Sequence, residues 1–268
     1  ADLEAYATRG KSLEELKKIA IEQYLVNYIA LGLKPKNLDF YFQSERSNIS
    51  KKSNAYYSLA SKLSRYATFN EFKAVYGEIT PGKMSSSLLQ AADMLHPQLK
   101  EFEGKAIPTI VPVGIDQDPH LRLARDLSQR FKDQKFLQLS STYHLFFPSL
   151  KGNGKMSSSD ETSYIAMTDS EKEVETKIKR YAFSGGQNTL EEHRKHGGNP
   201  DKDVSFQYLK FFFESDDKKL QKIHEDYKSG KMLTSELKEI LIEKINTFLK
   251  EHQKKKKLAE KQVGKFLK

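Results

Sequence analysis

The stretch "VPVGIDQDPHLRLARD", residues 111–126, decides how the rest of this chain is read. It continues a run, TIVPVGI (109–115), that is β-rich and mostly apolar, as a strand buried in a parallel sheet is. Pro112 is the discordant residue, because proline has no N–H to give to a ladder. The pattern then changes to helix: Asp118 stands where an N-cap belongs and Pro119 at the first helical position. Asp116 and Gln117 therefore occupy a turn between a strand end and a helix start. In open α/β sheets ligands sit there, beyond the carboxyl ends of strands and near positive helix ends.

Outward from this stretch, strands and helices alternate. A helix is predicted over 11–32, with Ser12 and Glu15 at capping-box spacing and Gly32 as its stop. DFYFQS (39–44) is a short strand candidate, and two further helices span 53–66 and 68–77. KFLQLS (135–140) and YHLFF (143–147) read as strands. Such alternation predicts an α/β layer with a parallel sheet. From Asp169 onward every periodic segment is helical, the last with Leu237, Leu241, Ile245 and Leu249 on one face. The expected division is thus 1–168 and 169–268.

A chain of 268 residues suits one large domain or two smaller ones. It can bury roughly 75% of its unfolded surface without covalent staples. The lack of cysteine excludes disulfides and cysteine-ligated zinc. No apolar run approaches the roughly 20 residues that span a bilayer, so a cytoplasmic protein without membrane contact is expected. Lys+Arg 45 against Asp+Glu 36 gives +9, which favours polyanionic partners. Seven lysines against two glutamates crowd into EHQKKKKLAEKQVGKFLK (251–268). That tail reads either as a contact to nucleic acid or as a solvated helix with a frayed basic end.

GKMSSS occurs twice, at 82–87 and 154–159. The first copy runs into a helical pattern of Met84, Leu88, Ala92 and Leu95, and reads as a helix start capped by one of its serines, with Gln90 the useful residue beyond it. The second follows Gly152 and Gly154 and has no such period. A loop presenting Lys155 with Ser157, Ser158 and Ser159 offers one cation and several hydroxyls to a polyphosphate, where charge grows when pyrophosphate is displaced.

KMSSS (155–159), IDQDPHLRLARD (115–126) and AFSGGQNTLEEHRKHGGNPDKDVSFQYLKFFFE (182–214) resemble the class I aminoacyl-tRNA synthetases, and within them the tryptophanyl-tRNA synthetases of archaeal and eukaryotic type. LEAYATRGKS (3–12) and GKMSSSLLQAADMLHPQL (82–99) are similar to the same family, so the resemblance covers essentially the whole chain. It implies an α/β fold: part of a Rossmann-type nucleotide-binding domain over 1–168 and an all-α anticodon-binding domain over 169–268. The implied reaction is ATP-dependent activation of tryptophan to tryptophanyl-adenylate, then transfer to tRNA-Trp. Lys155, Met156, Ser157, Ser158 and Ser159 would form the family's KMSKS-type ATP loop, with Lys155, Ser157 and Ser158 catalytic and Asp116 and Gln117 also at the ATP. Glu4, Gln90 and Gln117 would hold tryptophan, Glu4 facing its ammonium. Mg²⁺ would travel with ATP, and no dedicated metal cage is apparent. A homodimer is implied as well.

Family members also carry a HIGH-type signature ahead of the acidic turn at residues 2–4, and none is found here. The 268 residues alone are therefore expected not to complete adenylate formation, and most indole-recognising side chains are expected elsewhere. A tyrosine–tRNA ligase and a non-catalytic tRNA- or RNA-binding module are the alternatives.

Overall fold

The computed structural model describes the chain apart from Asn37, Ile49, Leu145, Asn153, Lys155, Ser158, Ser159 and Lys268, and apart from the side chains of Ser47, Asn48, Ser50, Lys51 and Ser53. Helices predominate, with a small parallel sheet. By packing, the chain falls into two units, residues 1–145 with 260–268, and residues 146–259.

In the first unit, α1 (Asp2–Arg9) ends at Gly10, whose φ of 63° is the left-handed conformation that closes helices. Ser12 then caps α2 (Leu13–Ile19) by accepting from the Glu15 N–H. A wider turn over Ala20–Leu25 carries the rod into α3 (Val26–Ala30). After α4 (Ser50–Ser64), a full capping box of Thr68 and Glu71 opens α5 (Phe69–Tyr76).

The first GKMSSS copy lies wholly inside α6 (Pro81–Leu95), and no serine caps it. Thr80 does so, accepting from the Lys83 N–H at 3.3 Å. Pro81 is the first helical residue, where a missing N–H costs nothing and φ is already helical. After α7 (Lys100–Glu103), β1 (Ile110–Gly114), α8 (Asp118–Arg130) and β2 (Ser140–His144) form one βαβ unit. The two strands pair in parallel with Ile110 opposite Ser140 and Gly114 opposite His144.

Pro112 fits this sheet for a geometric reason. The Ser140 N–H donates to Thr109 O, so in a parallel ladder Val111 and Val113 turn their N–H groups to β2 and Pro112 turns its nitrogen away. The two strands expected at 135–140 and 143–147 are one. Ahead of Ser140, Leu137 takes its backbone bonds from the fully buried Gln98 amide, which accepts from its N–H and donates to its carbonyl. DFYFQS likewise contributes a single bridge, Phe40 to Leu267, before a tight turn over Gln43–Asn48. The basic tail thus ends in packing, with Phe266 buried.

The core of this unit lies among α4, α6 and α8, where Tyr56, Leu63, Leu95, Leu121 and Leu127 are fully enclosed. Each such side chain contributes about 1.5–3 kcal/mol.

The second unit is helical: α9 (Glu171–Tyr181), α10 (Leu190–His196), α11 (Val204–Tyr208) with a wide turn over Leu209–Phe213, α12 (Asp217–Lys228) and α13 (Thr234–Glu260). Val174, Ile178, Leu209, Leu237, Leu241 and Ile245 make its core. A buried carboxylate organises the rest. Asp203 accepts from the Tyr227 hydroxyl at 2.7 Å and the Gly185 N–H at 2.8 Å, and caps α11 through the Ser205 N–H. The AFSGG and DKDVSF segments are tied together there. No helix among the described residues is long and apolar enough to cross a membrane.

Candidate active site

Beyond β1 the chain makes one tight turn over Ile115–Gln117 and enters α8. Gln117, not Asp118, holds the N-cap position, and Asp118 is already helical. Its carboxylate accepts from the Tyr143 hydroxyl at 2.6 Å and pairs with Arg122 at 2.5 Å, one turn on. The Tyr143 hydrogen bond, then Arg122, hold that carboxyl below its usual range. A carboxylate in a first helical turn favours the helix through the dipole, without cap geometry. Under the turn the backbone is tight: a Cβ on Gly114 would lie 2.6 Å from Asp116 Oδ1 and 3.3 Å from the His144 ring.

Gln90, from α6, donates to Gln117 Oε1 at 3.4 Å, so the two glutamines expected to face the amino acid do meet. Gln90 Oε1 is buried and has no protein partner. Buried acceptors are rarely left so, and an external donor would satisfy this one.

Glu4 is tied to the same helix through a relay that the sequence reading missed. The Glu4 N–H donates to Gln43 Oε1 at 3.4 Å, and Gln43 Nε2 donates to Asp93 Oδ2 at 2.5 Å. The hydroxyls of Tyr41 and Tyr56 donate to Asp93 Oδ1 at 2.7 and 2.8 Å. Asp93 is three residues past Gln90, on the same side of α6. Its trace in the sequence is the polar pair in "LLQAADML", but its partners are distant in the chain. Burial pushes the Glu4 carboxyl above its ordinary value, Asp93 adds to this, and Arg9 opposes it. Glu4 opens onto a cavity of about 410 Å³ with Arg9, Tyr24, Phe40 and Phe42 among its walls.

The second GKMSSS copy lies in the other unit. Lys155, Ser158 and Ser159 are outside the described residues. Met156 packs against the helical core, and Ser157 is stitched by its backbone, the N–H donating to Ser163 Oγ at 3.1 Å and the carbonyl accepting from the Asp160 N–H at 3.0 Å. The loop base is closed by Leu150 N–H to Ser163 O at 2.8 Å and by Lys151 to Asp160 at 2.7 Å. The Lys151 hydrogen bond, helped by Thr162, brings the exposed Asp160 carboxyl to about 2. Gly152 turns left-handed (φ 77°) directly over Phe183. His193 is structural: buried, with Nε2 2.9 Å from Met232 O. Among the described residues no group of three or more His, Asp or Glu is placed to hold a metal ion.

The family model of the class I tRNA synthetases (W and Y) matches residues 1–250. The chain belongs to this family. Among class I synthetases it is 42% identical to the tryptophan–tRNA ligase of Methanocaldococcus jannaschii, over all of this chain and 71% of that protein. It is 38% identical to the human cytoplasmic tryptophan–tRNA ligase, over 99% of this chain and 56% of the relative. The crystal structure of tryptophanyl-tRNA synthetase from Aeropyrum pernix superposes with a TM-score of 0.92 at 42% identity, covering 99% of this chain and 70% of that one. The tyrosyl-tRNA synthetase of Archaeoglobus fulgidus, at 24% identity and a TM-score of 0.71, shares the fold.

Proposed function

We propose that this class I synthetase chain acts as a tryptophan–tRNA ligase, activating tryptophan with ATP and passing it to tRNA-Trp. The observation that carries the reading is the unpartnered, buried Gln90 Oε1 beside Gln117, linked through Asp93 and Gln43 to Glu4. An α-ammonium is the donor that suits it: a carboxylate and a carbonyl oxygen together fix the amine and leave the substrate carboxylate free. A carboxylate oxygen of tryptophan then forms a bond to the α-phosphorus, and the bond from that phosphorus to the bridging oxygen breaks. Pyrophosphate leaves with the electron pair.

In this reading 1–168 contribute part of a Rossmann-type fold, with Asp116 and Gln117 at the nucleotide beside the start of α8. Lys155, Met156, Ser157, Ser158 and Ser159 form the ATP loop, where Lys155, Ser157 and Ser158 stabilise the charge on the departing oxygens. Mg²⁺ would come with the ATP phosphates. Residues 169–268 read the anticodon, and the enzyme works as a homodimer in the cytoplasm, the compartment named for its rabbit and human relatives.

The test is Lys155→Ala in the enzyme containing this chain. Tryptophan-dependent ATP–pyrophosphate exchange is expected to fall by about 100- to 1000-fold, the loss typical of one charge-stabilising donor, with tRNA affinity nearly unchanged. An equal loss of tRNA binding and unaltered exchange would favour an RNA-binding module instead. Preferred activation of tyrosine would point to the tyrosine branch.

A further inference from the structure

The segment AFSGG (182–186) opens the long block that resembles the synthetases, yet none of the chemistry above uses it. Its contacts lead to the root of the second GKMSSS copy. The Phe183 N–H donates to the Leu150 carbonyl at 2.7 Å, and the Phe183 carbonyl accepts from the Val204 N–H at 3.1 Å. Leu150 is fully buried, and its own N–H donates to Ser163 O at 2.8 Å, beyond the motif. One residue thus joins the way into the loop, the way out of it and AFSGG.

The rest of the root is bonded as fully. The Tyr208 hydroxyl donates to Pro148 O at 3.2 Å, the Lys151 N–H to Ser149 Oγ at 3.1 Å and the Gly152 N–H to Ser149 O at 2.9 Å. At Gly152 the left-handed backbone lies against Phe183: a Cβ there would stand 2.6, 2.7 and 2.9 Å from Cβ, Cγ and Cδ1 of that side chain. Next to Phe183 in the chain, the Gly185 N–H donates to the wholly buried Asp203 carboxylate, which also holds Tyr227. Phe183 is therefore held from both sides, by Leu150 and by the Asp203 knot.

Burial does not account for this side chain. Phe183 is 49% exposed and stands outside the helical core. What its ring covers is the backbone of one glycine, a residue whose φ and ψ are otherwise the least restrained in a chain. Gly152 stands three residues before Lys155. A group that acts in the transition state has to be placed closely, since a misplacement of about 1 Å can cost about 100-fold in rate. We propose that Phe183 is a positioning residue, which seats the root of the ATP loop at Leu150–Gly152 for adenylate formation. The chemistry rests on the ligase function proposed above; the seat itself rests on these bonds and contacts.

The experiment compares F183A, F183Y and L190A in the enzyme containing this chain. Leu190 is equally exposed in the same unit and touches none of these groups, so it serves as the control. In tryptophan-dependent ATP–pyrophosphate exchange, F183A is expected to lower kcat by about 10- to 100-fold, with KM for tryptophan changed by under about 2-fold, the signature of an interaction made in the transition state. F183Y keeps the ring and should restore kcat to within about 3-fold, and L190A should stay within about 2-fold. Urea curves set the folded fraction of each variant. An unchanged kcat in F183A, a loss explained by unfolding or by KM alone, no recovery in F183Y, or equal losses in L190A each overturn the positioning role. Amide hydrogen exchange of the 148–152 stretch, read by mass spectrometry, needs no activity. There F183A is expected to speed exchange at Leu150 and Gly152 by about 10-fold, and unchanged protection overturns the seat. Loss of protection in an enzyme that lacks tryptophan-dependent pyrophosphate exchange rejects the ligase and keeps the seat.

Discussion

Asp93→Asn changes one atom in the relay that holds Glu4 to α6, and its consequences can be worked through bond by bond. The carboxylate accepts from three groups: Tyr41 and Tyr56 on Oδ1, and Gln43 Nε2 on Oδ2. Asparagine can keep both tyrosines on its oxygen, but its NH₂ then faces Gln43 Nε2. Turning the Gln43 amide over relieves that contact and sets Nε2 against the Glu4 N–H, which now donates to Oε1. In either arrangement one donor meets another around a glutamine that is almost completely buried. The loss should be about 1–3 kcal/mol, with no cavity term because the side chains match in shape. Glu4 also responds electrically. Its carboxyl is raised first by burial and then by Asp93, so the variant brings it down. In the proposed role Glu4 holds the tryptophan ammonium only when ionised, so tryptophan affinity should be lost as pH falls through its folded value; in the variant that acid limb should move to lower pH. Urea unfolding reads the first effect, and KM for tryptophan against pH in the pyrophosphate exchange of the enzyme containing this chain reads the second. An unchanged unfolding midpoint together with an unmoved acid limb would refute the relay.

Three further outcomes are expected. Thr80→Ala should cost α6 about 1 kcal/mol as a lost N-cap, while Ser85→Ala, at an exposed position within the helix, should stay within about 0.5 kcal/mol; parallel urea melts decide between them. Gly152→Ala should be worse than Gly154→Ala. Both take positive φ, costing roughly 1–2 kcal/mol, but only at Gly152 would the new Cβ strike Phe183, 2.6 Å away, and equal losses in thermal melts would reject that packing. His96 is buried and neutral: Arg46 Nη2 donates to its Nε2 at 3.0 Å, which leaves the proton on Nδ1 for the Ala92 carbonyl. Burial, and then Arg46, lower its folded value from 6.5, so the unfolded chain takes up the proton first. That share of stability is full above about pH 6.5 and is lost as pH falls below it; His96→Gln should flatten the slope of urea stability between pH 7.5 and 5.

What the sequence made legible was local. The β1–turn–α8 unit announces itself because strand composition, turn and helix start fall within sixteen consecutive residues, and Gln90 and Gln117 could be singled out near such landmarks. The serine cap expected for α6 fails because Pro81 and Gly82 already belong to the first helical turn, once Thr80 supplies the cap. Asp93 could not be read, since its partners stand 52, 50 and 37 residues away and nothing local marks a residue as their shared acceptor. The overcounted strand has a similar cause: Gln98, 39 residues away, takes the backbone bonds that a ladder would have used. For the two copies of GKMSSS, context separated the strings. The first is helical throughout, with Ser86 and Ser87 buried, and of the second the described residues Met156 and Ser157 are themselves non-helical and anchored in the helical unit.

One face of α6 carries both a satisfied acceptor and an unsatisfied one, and this allows stability and function to be pulled apart. Asp93 has three donors, so weakening it should harm folding and binding together. Gln90 Oε1 has no protein donor, so the folded chain bears a desolvated carbonyl that an external donor would complete. Gln90→Met replaces that amide with a side chain of similar length and no polar atom. It also removes a weak 3.4 Å bond to Gln117, which is half-buried and can turn its oxygen to water. The variant should therefore unfold at higher urea, by up to about 1–3 kcal/mol, while KM for tryptophan rises. Residues kept for chemistry against the interest of folding are expected to behave in this way. A variant that is both less stable and unaltered in tryptophan binding would mean that Gln90 is a packing residue and that its free oxygen marks no ligand.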